Sequence, residues 1–379
     1  LKDFHDAAVQ ECTTSSNRLR VSARIDSLFT ECTSLIKGLS LLRECTQRSR
    51  DAVLSFGELF STAIIHGRAL ERGMDAELLD SRDFIRTDDE FTHANPLYEE
   101  TSSLVQEFVK PSPGKLLITQ GFIARTRNGV TTTLGRGGSD FTATIIGAAL
   151  GASEVQIWTD VNGIMTTDPR IMSKAKTIES ISYEEAAELA YFGAKVIHPS
   201  TIQPAVEKGI PVLVLNTKDP DGPKTVIEKA SGTRGLRAIA GKKSIILIHV
   251  TSSHMLNAYG FLSRIFAIFE RHKTPVDLIA TSEVSVSMTI DNDESLDRIV
   301  TELGSIGMVE VERGKSIICL VGNDLWKDSP FIARVFQTLN STPVRMVSLG
   351  SSDINLSLVV PEEYLETAIS KLHLEFFGV

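Results

Sequence analysis

The residues over 131–140 have the types and order of an anion-binding turn. Small hydroxyl side chains lead into a glycine-rich bend around Gly137, and an apolar stretch with helical character follows. Glycine allows the backbone to approach a ligand closely, and N–H groups at a helix N-terminus attract a phosphate or carboxylate. Arg136 adds a planar guanidinium that suits the same anions, and Ser139 or Asp140 is expected to cap the helix. A turn that binds nothing is the alternative, because glycine-rich turns are common.

A second polar group follows the predicted buried strand 154–159. Thr159 and Asp160 end this strand, and Arg170 comes shortly afterwards. Ligands of α/β proteins bind at the carboxyl ends of strands, where a hydroxyl or carboxylate can meet a ribose or base and a cation can meet phosphates. The segment therefore indicates a nucleotide site, with a solvated strand-end turn as the alternative.

Lys195 and Glu58 are two further candidates. Lys195 follows the helix-ending Gly193, so its ammonium group could reach a phosphate held by the glycine-rich bend. Glu58 lies beside Gly57 in a strongly helical stretch, where a glycine costs roughly 1 kcal/mol relative to alanine and so indicates a close approach. Glu58 or Asp140 could bind an ammonium group, such as the amine of an amino acid. The alternatives are a solvated lysine and an ordinary helix-surface glutamate.

Composition and charge exclude several classes of protein. The chain has 379 residues, which exceeds the roughly 250–300 at which one core usually divides, so two or three domains are expected. With a net charge of −9 it offers no basic field to nucleic acid or to an anionic membrane. No run approaches the ~18 apolar residues of a membrane span. The four cysteines lack C-x-x-C spacing, which predicts free thiols in a reducing, cytoplasmic compartment and no sulfur-bound metal.

The residues up to about 230 alternate between helical and strand patterns. Apolar spacing predicts helices from 1 to about 72, and a capping box, Ser182 to Glu185, begins another helix that ends near Gly193. Turn-forming residues cluster over 218–223 and 231–235, where we place the domain boundary. Short strands, with helices between them, are predicted over 76–79, 115–119 (buried), 154–159 and 210–215. The alternation indicates an α/β fold with a largely parallel sheet.

Beyond the boundary, one order of elements occurs twice. The first set has strands 244–250, 276–280, 284–289 and 309–312 and helices 261–272 and 296–303. The second has strands 316–321, 344–349 and 355–359 and helices 331–339 and 363–374. Two β-α-β-β-α-β units fit this order, but no strand is predicted after the last helix. The strand 236–240 is free to complete the second unit, which makes the first unit an insertion within the second.

Several runs of residues together closely resemble the aspartokinases of the amino-acid kinase superfamily. They are 55–58 (SFGE), 132–140 (TTLGRGGSD), 158–161 (WTDV), 166–170 (TTDPR) and 192–196 (FGAKV), with His198 and Pro199. The resemblance covers nearly the whole chain. It implies a three-layer amino-acid-kinase sandwich with a mainly parallel sheet over 1–230. It also implies two ferredoxin-like ACT units, the first over 241–312 and the second over 236–240 with 313–379.

The resemblance also implies a reaction and the residues that carry it. The γ-phosphoryl group of ATP passes to the side-chain carboxylate of L-aspartate, giving 4-phospho-L-aspartate, the first step toward lysine, threonine and methionine. Glu58, Arg136 and Asp140 are the implied substrate residues, with Arg136 on the α-carboxylate and the two acids around the amine. The implied catalytic residues are Arg136, Asp140 and Lys195, and the implied nucleotide contacts are Thr159, Asp160, Arg170, Lys195 and Val196. Mg²⁺ is expected to arrive on the nucleotide, with no metal site held by the protein.

The C-terminal part resembles the lysine-responsive subgroup, in which an amino-acid effector lies between the ACT units of paired subunits. The positions that match the effector site are Met255, Phe261, Leu262, Val276, Asp277, Thr281, Ser282 and Glu283. Asp277 and Glu283 could pair with a lysine ammonium group, and the helix start at Phe261 suits its carboxylate. The resemblance thus implies lysine feedback and a homo-oligomer. For the apolar members the alternative is a core-facing stripe of Phe261, Ile265, Phe266 and Phe269.

The sequence departs from the family in two places. Aspartokinases open with a strand carrying Lys-Phe-Gly-Gly-Thr-Ser, and unless the native protein supplies that segment, the chain is expected to be nearly inactive without its lysine. Met165 stands where the family commonly has tyrosine, on the nucleotide side. The competing hypotheses are another amino-acid kinase, such as one acting on glutamate, and a catalytically silent amino-acid sensor with a kinase remnant.

Overall fold

The computed structural model describes residues 1–193, 197–229, 235–255, 259–350 and 352–378, without the side chains of Ser15 and Ser16. Lys195, Val196 and most of the predicted boundary segment 231–235 lie outside the described residues. The chain forms two compact units: Leu1–Ile157 with Ile197–Leu213, and Trp158–Val196 with Val214–Val379. This division differs from the boundary we placed near 218–235, since much of the predicted kinase part groups with the C-terminal half.

The helices agree closely with the periodicity of the sequence. They are α1 (Lys2–Cys12), α2 (Ser15–Leu42), α3 (Gln47–Glu71), α4 (Tyr98–Phe108), α5 (Gly138–Leu150), α6 (Tyr183–Phe192), α7 (Pro199–Lys208), α8 (Phe261–Arg271), α9 (Leu296–Leu303), α10 (Ser329–Thr338) and α11 (Leu365–Phe377). The predicted helical region up to 72 is thus confirmed as α1 to α3. The capping box is confirmed as well, because Ser182 and Glu185 bond each other's backbone N–H at the start of α6.

The strands are more numerous than predicted. They are β1 (Ala76–Leu79), β2 (Arg86–Thr87), β3 (Leu116–Thr119), β4 (Ile123–Thr126), β5 (Thr131–Thr133), β6 (Val155–Thr159), β7 (Ser180–Ser182), β8 (Val212–Asn216), β9 (Thr225–Glu228), β10 (Gly235–Thr251), β11 (Ile279–Thr281), β12 (Ser285–Ile290), β13 (Met308–Asn323), β14 (Met346–Leu349) and β15 (Asn355–Pro361). The first nine fall in three small sheets, β1-β3, β2-β4-β5 and β6-β8-β9-β7.

Two strands that we predicted as buried are open on one side. In β3, Leu116 is 42% exposed, because this strand pairs only with β1 in a two-stranded sheet. In β6, Val155 and Ile157 are buried but Trp158 is exposed, because β6 is the edge strand of its sheet and only one of its faces is covered. Both predictions of full burial are therefore wrong.

The C-terminal half is built on one six-stranded sheet in the order β11-β12-β10-β13-β15-β14, with antiparallel pairs throughout. Its two central strands are long, and each contributes to both halves of the sheet. Ala238 to Ala240, in the first half of β10, lie opposite Val321 to Cys319 in the second half of β13. The prediction that 236–240 pairs with the second set of strands is thus confirmed.

The breaks predicted inside β10 and β13 are wrong. The chain continues through Lys242 and Ser244 with shifts of register, and Ser244 adopts a φ of 61°. In β13, Gly314 has a φ of 66° within a strand that does not end. Bulges with local positive φ therefore occur where the predicted strands were separate.

Helices α8 and α9 cover one half of this sheet, and α10 and α11 the other. Phe261, Ile265 and Phe269 of α8 are buried as the apolar alternative predicted, but Phe266 is 40% exposed. Ile268 is buried instead of Phe266, because it lies three residues after Ile265 and so on the same face of the helix. Within the described part of the chain, no helix has the length and apolar character needed to cross a bilayer.

Candidate functional site

The glycine-rich bend joins β5 to α5 in the first compact unit. Gly135 and Gly137 have φ values of 75° and 72°, in the left-handed region that side chains disfavour. Gly137 is the N-cap of α5, so Ser139 and Asp140 lie in the first turn and cap nothing with their side chains. The predicted side-chain cap is therefore wrong, because the helix begins at Gly138, earlier than expected.

The lack of a side-chain cap on α5 has a chemical consequence. Among the described residues, the backbone N–H groups of Ser139 and Asp140 have no hydrogen-bond acceptor. Both lie at the N-terminus of a helix of 13 residues, where the helix dipole adds partial positive charge. The bend thus offers two free N–H groups to an anion.

Close packing explains why glycine occupies the bend. A Cβ on Gly137 would lie 2.9 Å from Cγ2 of Thr201, which belongs to α7. A Cβ on Gly138 would lie 2.7 Å from Cδ2 of Phe122. Any side chain at these two positions would therefore displace the bend.

Arg136 lies between the two positive-φ glycines, and its side chain is exposed. In the described part of the chain its guanidinium forms no ion pair or hydrogen bond. An unpaired fork of N–H donors beside free helix N–H groups suits a planar carboxylate or a phosphate.

Glu58 and Asp140 are two half-buried carboxylates in the same compact unit. Burial raises the pKa of Glu58 and also that of Asp140. Neither is paired with a cation among the described residues. Desolvated acids of this kind gain from a bound ammonium group and are typical of functional sites.

Packing within the described residues does not explain the glycine at position 57. A Cβ built there meets no heavy atom within 4 Å among the described residues. The glycine beside Glu58 therefore allows no close packing that alanine would prevent.

Asp51 is a functional candidate that the sequence analysis missed. Its carboxylate is fully buried and accepts the N–H of Thr92 at 2.9 Å, the N–H of Thr133 at 3.0 Å and the Thr133 hydroxyl at 2.8 Å. The available signal was an aspartate in a helix, two turns before Glu58 and on the same face.

The predicted nucleotide residues belong to the second compact unit. At the end of β6, the Thr159 carbonyl accepts the N–H of Thr217 at 2.8 Å, and Asp160 is exposed. Arg170 pairs with Asp168 at 2.6 Å, and this hydrogen bond is the main cause that lowers the pKa of Asp168. The Arg170 side chain is 86% exposed, so the pair is open to solvent.

The predicted effector residues divide by burial. Met255, Phe261 and Val276 pack in the core formed by α8, α9 and their half of the sheet. The exposed members are Leu262, Thr281, Ser282 and Glu283. Helix α8 begins after Gly260 without a side-chain cap, so its first N–H groups are available to a carboxylate.

Asp277 differs from the other effector candidates, because its side chain is only 1% exposed and already holds a cation. Lys242 of β10 donates to its Oδ1 at 2.9 Å, and the hydroxyl of Tyr191, from α6, donates to the same oxygen. Lys242 also pairs with Asp291 at 2.8 Å. Burial, followed by the bond to Asp277, raises the pKa of Tyr191.

The described residues contain no cluster of three histidine, cysteine or acidic side chains that could hold a metal ion. The four cysteines are free thiols.

Comparison with known proteins gives matches over both halves of the chain. The model of the amino acid kinase family matches residues 5–216, and that of the ACT domain matches 318–376. Lysine-sensitive aspartokinase 3 of Escherichia coli is 41% identical over 362 residues, which is 92% of this chain and 81% of the relative. Chloroplastic aspartokinase 3 of Arabidopsis thaliana is 40% identical over 90% of this chain, which spans 64% of that relative's length.

Two solved structures of E. coli aspartokinase III resemble this chain. The R-state complex with aspartate and ADP has a TM-score of 0.83 at 41% identity and covers 94% of this chain and 82% of that one. The T-state complex with lysine and aspartate has a TM-score of 0.77 at 37% identity and covers 99% of this chain and 90% of that one. The fold is therefore an amino-acid kinase fold followed by ACT regulatory domains.

Proposed function

Because this chain belongs to the aspartokinases of the amino acid kinase family, we propose that it transfers the γ-phosphoryl group of ATP to L-aspartate, giving 4-phospho-L-aspartate and ADP. The observation that carries the proposal is the bend at Gly137, where free helix N–H groups and the unpaired Arg136 occur in the same compact unit as two desolvated acids. An amino acid has the two charges that such a set can bind.

The charges of these side chains indicate which group of the substrate each of them binds. Arg136 binds the α-carboxylate of aspartate, and Glu58 and Asp140 bind its ammonium group, whose charge offsets the cost of their desolvation. An oxygen of the aspartate side chain then attacks the γ-phosphorus, and the bond from that phosphorus to the bridging oxygen of ADP breaks. This chemistry needs alignment and positive charge more than a protein base.

The nucleotide side of the proposal uses Thr159, Asp160, Arg170, Lys195 and Val196. The open Asp168–Arg170 pair supports this role, because an exposed guanidinium can exchange a carboxylate for a phosphate at small cost. Lys195 supplies a point charge to the phosphates. Mg²⁺ is carried by the nucleotide, where it neutralises phosphate charge.

We further propose catalytic residues 1–230, a first ACT domain over 241–312 and a second over 236–240 with 313–379. The continuous pairing of β10 with β13 supports these limits, because each long strand serves both halves of one sheet. An amino-acid effector, in our proposal L-lysine, binds near the uncapped start of α8, and the ACT domains pair two subunits. The free thiols support a cytoplasmic location.

ADP release with aspartate, glutamate or no acceptor tests the proposal directly. In the protein that carries the family's N-terminal lysine segment, we expect ADP release that depends on aspartate, does not occur with glutamate and is suppressed by lysine. The variant Arg136→Ala should raise KM for aspartate about tenfold to a hundredfold, the cost of losing a charged hydrogen-bond pair. Equal release with glutamate would favour another amino-acid kinase, and lysine-dependent thermal stabilisation without product would favour a silent sensor.

A further inference from the structure

The buried carboxylate of Asp51 fixes the geometry of the bend that carries Arg136. We propose that Asp51 is a positioning residue for the aspartate site, which it serves by tying the helix of Glu58 to the strand that leads into Arg136. The inference rests on the proposed function and deepens it, because it names a residue that sets the distance between the two ends of the substrate site.

The burial of Asp51 needs an explanation. A fully buried carboxylate is costly unless hydrogen bonds replace its water. Asp51 has three such bonds, at 2.8 to 3.0 Å, and all three come from Thr92 and Thr133. A neutral side chain could fill the same volume without this cost, so the charge has a use beyond packing.

The two partners of Asp51 form two sides of the bend. Thr133 is the last residue of β5, directly before the segment that contains Gly135 and Arg136. Thr92 has a φ of 74°, which is strained for a threonine, and its N–H bond to Asp51 holds this conformation. A Cβ on Gly135 would lie 3.1 Å from the Thr92 carbonyl and 2.8 Å from Cδ2 of His93, so this segment packs directly on the bend.

Helix α3 connects Asp51 with Glu58, which is proposed to bind the amine of the substrate. Asp51 and Glu58 are both in α3, and a separation of two helical turns puts them on the same face. The Asp51 carboxylate therefore joins the helix of Glu58 to the strand that precedes Arg136. A shift of α3 relative to β5 would change the distance between Glu58 and Arg136, which are proposed to bind the ammonium group and the α-carboxylate of aspartate.

The conservative variant Asp51→Asn tests this role against a matched control. Asparagine keeps the shape but removes the charge, so the bonds from the N–H groups of Thr92 and Thr133 lose their charge assistance, and the contact with the Thr133 hydroxyl persists only with the NH₂ group as donor. The control is Thr87→Val, which removes the 2.7 Å hydrogen bond between two buried hydroxyls, Thr87 and Thr132, in the same small sheet. Both variants should lower the melting temperature.

Only Asp51→Asn should change the site. We expect KM for aspartate to rise about tenfold, as for the loss of a hydrogen bond to a charged group, while KM for ATP stays within about twofold. Amide hydrogen exchange at Thr92 and Thr133 should accelerate in Asp51→Asn and stay as in the unmodified protein in Thr87→Val. Equal rises in KM for aspartate in both variants, or unchanged exchange in Asp51→Asn, would overturn the inference.

The two measurements also separate this inference from the proposed function. If the unmodified protein carries the family's N-terminal lysine segment and still releases no ADP with aspartate, the proposed kinase reaction fails. Hydrogen exchange still decides whether Asp51 orders the bend, because it needs no turnover. Aspartate binding followed by thermal shift then replaces KM as the readout of the site.

Discussion

At the scale of single residues, Glu58 shows how a binding site can reduce the stability of the empty protein. Burial raises its pKa, so the folded protein holds the proton more tightly than the unfolded chain does. Ionisation above the unfolded pKa therefore favours unfolding, and at neutral pH the charged carboxylate destabilises the empty protein. A bound ammonium group reverses this effect.

We predict that Glu58→Gln leaves the melting temperature of the ligand-free protein unchanged or slightly higher at pH 7.5, because no charge remains to be desolvated. The same variant should raise KM for aspartate about tenfold or more, since a charged hydrogen bond to the amine is lost. Differential scanning fluorimetry and steady-state kinetics check the two halves. A lower melting temperature with unchanged KM would show that Glu58 has a structural role only.

The raised pKa values of Glu58 and Asp140 also predict a pH dependence of binding. These acids take up protons at a higher pH than ordinary ones, so aspartate affinity should begin to fall while free carboxylates are still ionised. Calorimetric titration with aspartate between about pH 7.5 and 5 should show this loss together with release of protons from the site on binding. In Glu58→Gln the slope should be smaller, and an identical slope would assign the effect to Asp140 or to the ligand.

At the scale of elements, the two ends of α5 provide a matched pair of glycines. Gly137 and Gly151 both have left-handed φ values, 72° and 62°, as N-cap and C-cap of the same helix. A Cβ on Gly137 would clash with Thr201 at 2.9 Å, whereas one on Gly151 meets nothing within 4 Å in the described residues. A comparison of substitutions at these two glycines therefore separates the cost of backbone strain from the effect of displacing the bend.

We predict that Gly151→Ala costs about 1 kcal/mol of unfolding free energy, the usual cost of a left-handed alanine, with unchanged kinetics. Gly137→Ala should cost more, about 2 to 3 kcal/mol including overpacking, and should reduce kcat/KM for aspartate at least about tenfold. Urea denaturation and ADP release are the measurements. Equal stability losses with equal kinetics would mean that the bend tolerates a side chain.

These elements also indicate how far the sequence alone could lead. The bend, the capping box at Ser182 and the assignment of 236–240 to the second set of strands follow from local chemistry and periodicity, and the structure agrees with them. Strands β4 and β5 were missed, because they are short and rich in threonine and arginine and lack the apolar run that marked β1 and β3. The anchor at Asp51 could not be predicted, since its partners are 41 and 82 residues away in the sequence.

At the scale of the whole molecule, the match to the amino acid kinase family ends at residue 216, but its helix α6 packs on the long strands of the C-terminal sheet. A Cβ on Gly193, at the end of α6, would lie 2.7 Å from the carbonyl oxygen of Gly241 in β10. Beside this contact, Tyr191 and Lys242 meet at Asp277, with the Lys242 ammonium 4.5 Å from the centre of the Tyr191 ring. One buried carboxylate thus joins the kinase part to the first set of regulatory strands.

The burial of that carboxylate makes Lys242 the critical member of the cluster. Oδ2 of Asp277 has no hydrogen-bond partner among the described residues, so removal of Lys242 would leave a buried charge held by Tyr191 alone. We predict that Lys242→Met destabilises the protein by about 3 kcal/mol, as expected when one partner of a buried ion pair is lost. The double variant Lys242→Met with Asp277→Asn should recover part of this loss, because the unpaired charge is gone.

The neighbouring residue provides the control for this prediction. Lys243 pairs with Glu366 at 2.7 Å on the surface, where both side chains are at least half exposed. Lys243→Met should therefore change stability by less than about 1 kcal/mol, and high salt should reduce that change further. Guanidinium denaturation at matched protein concentration compares the three variants. Equal effects at 242 and 243, or no recovery in the double variant, would mean that the carboxylate of Asp277 is not held in the folded protein by the Lys242 charge.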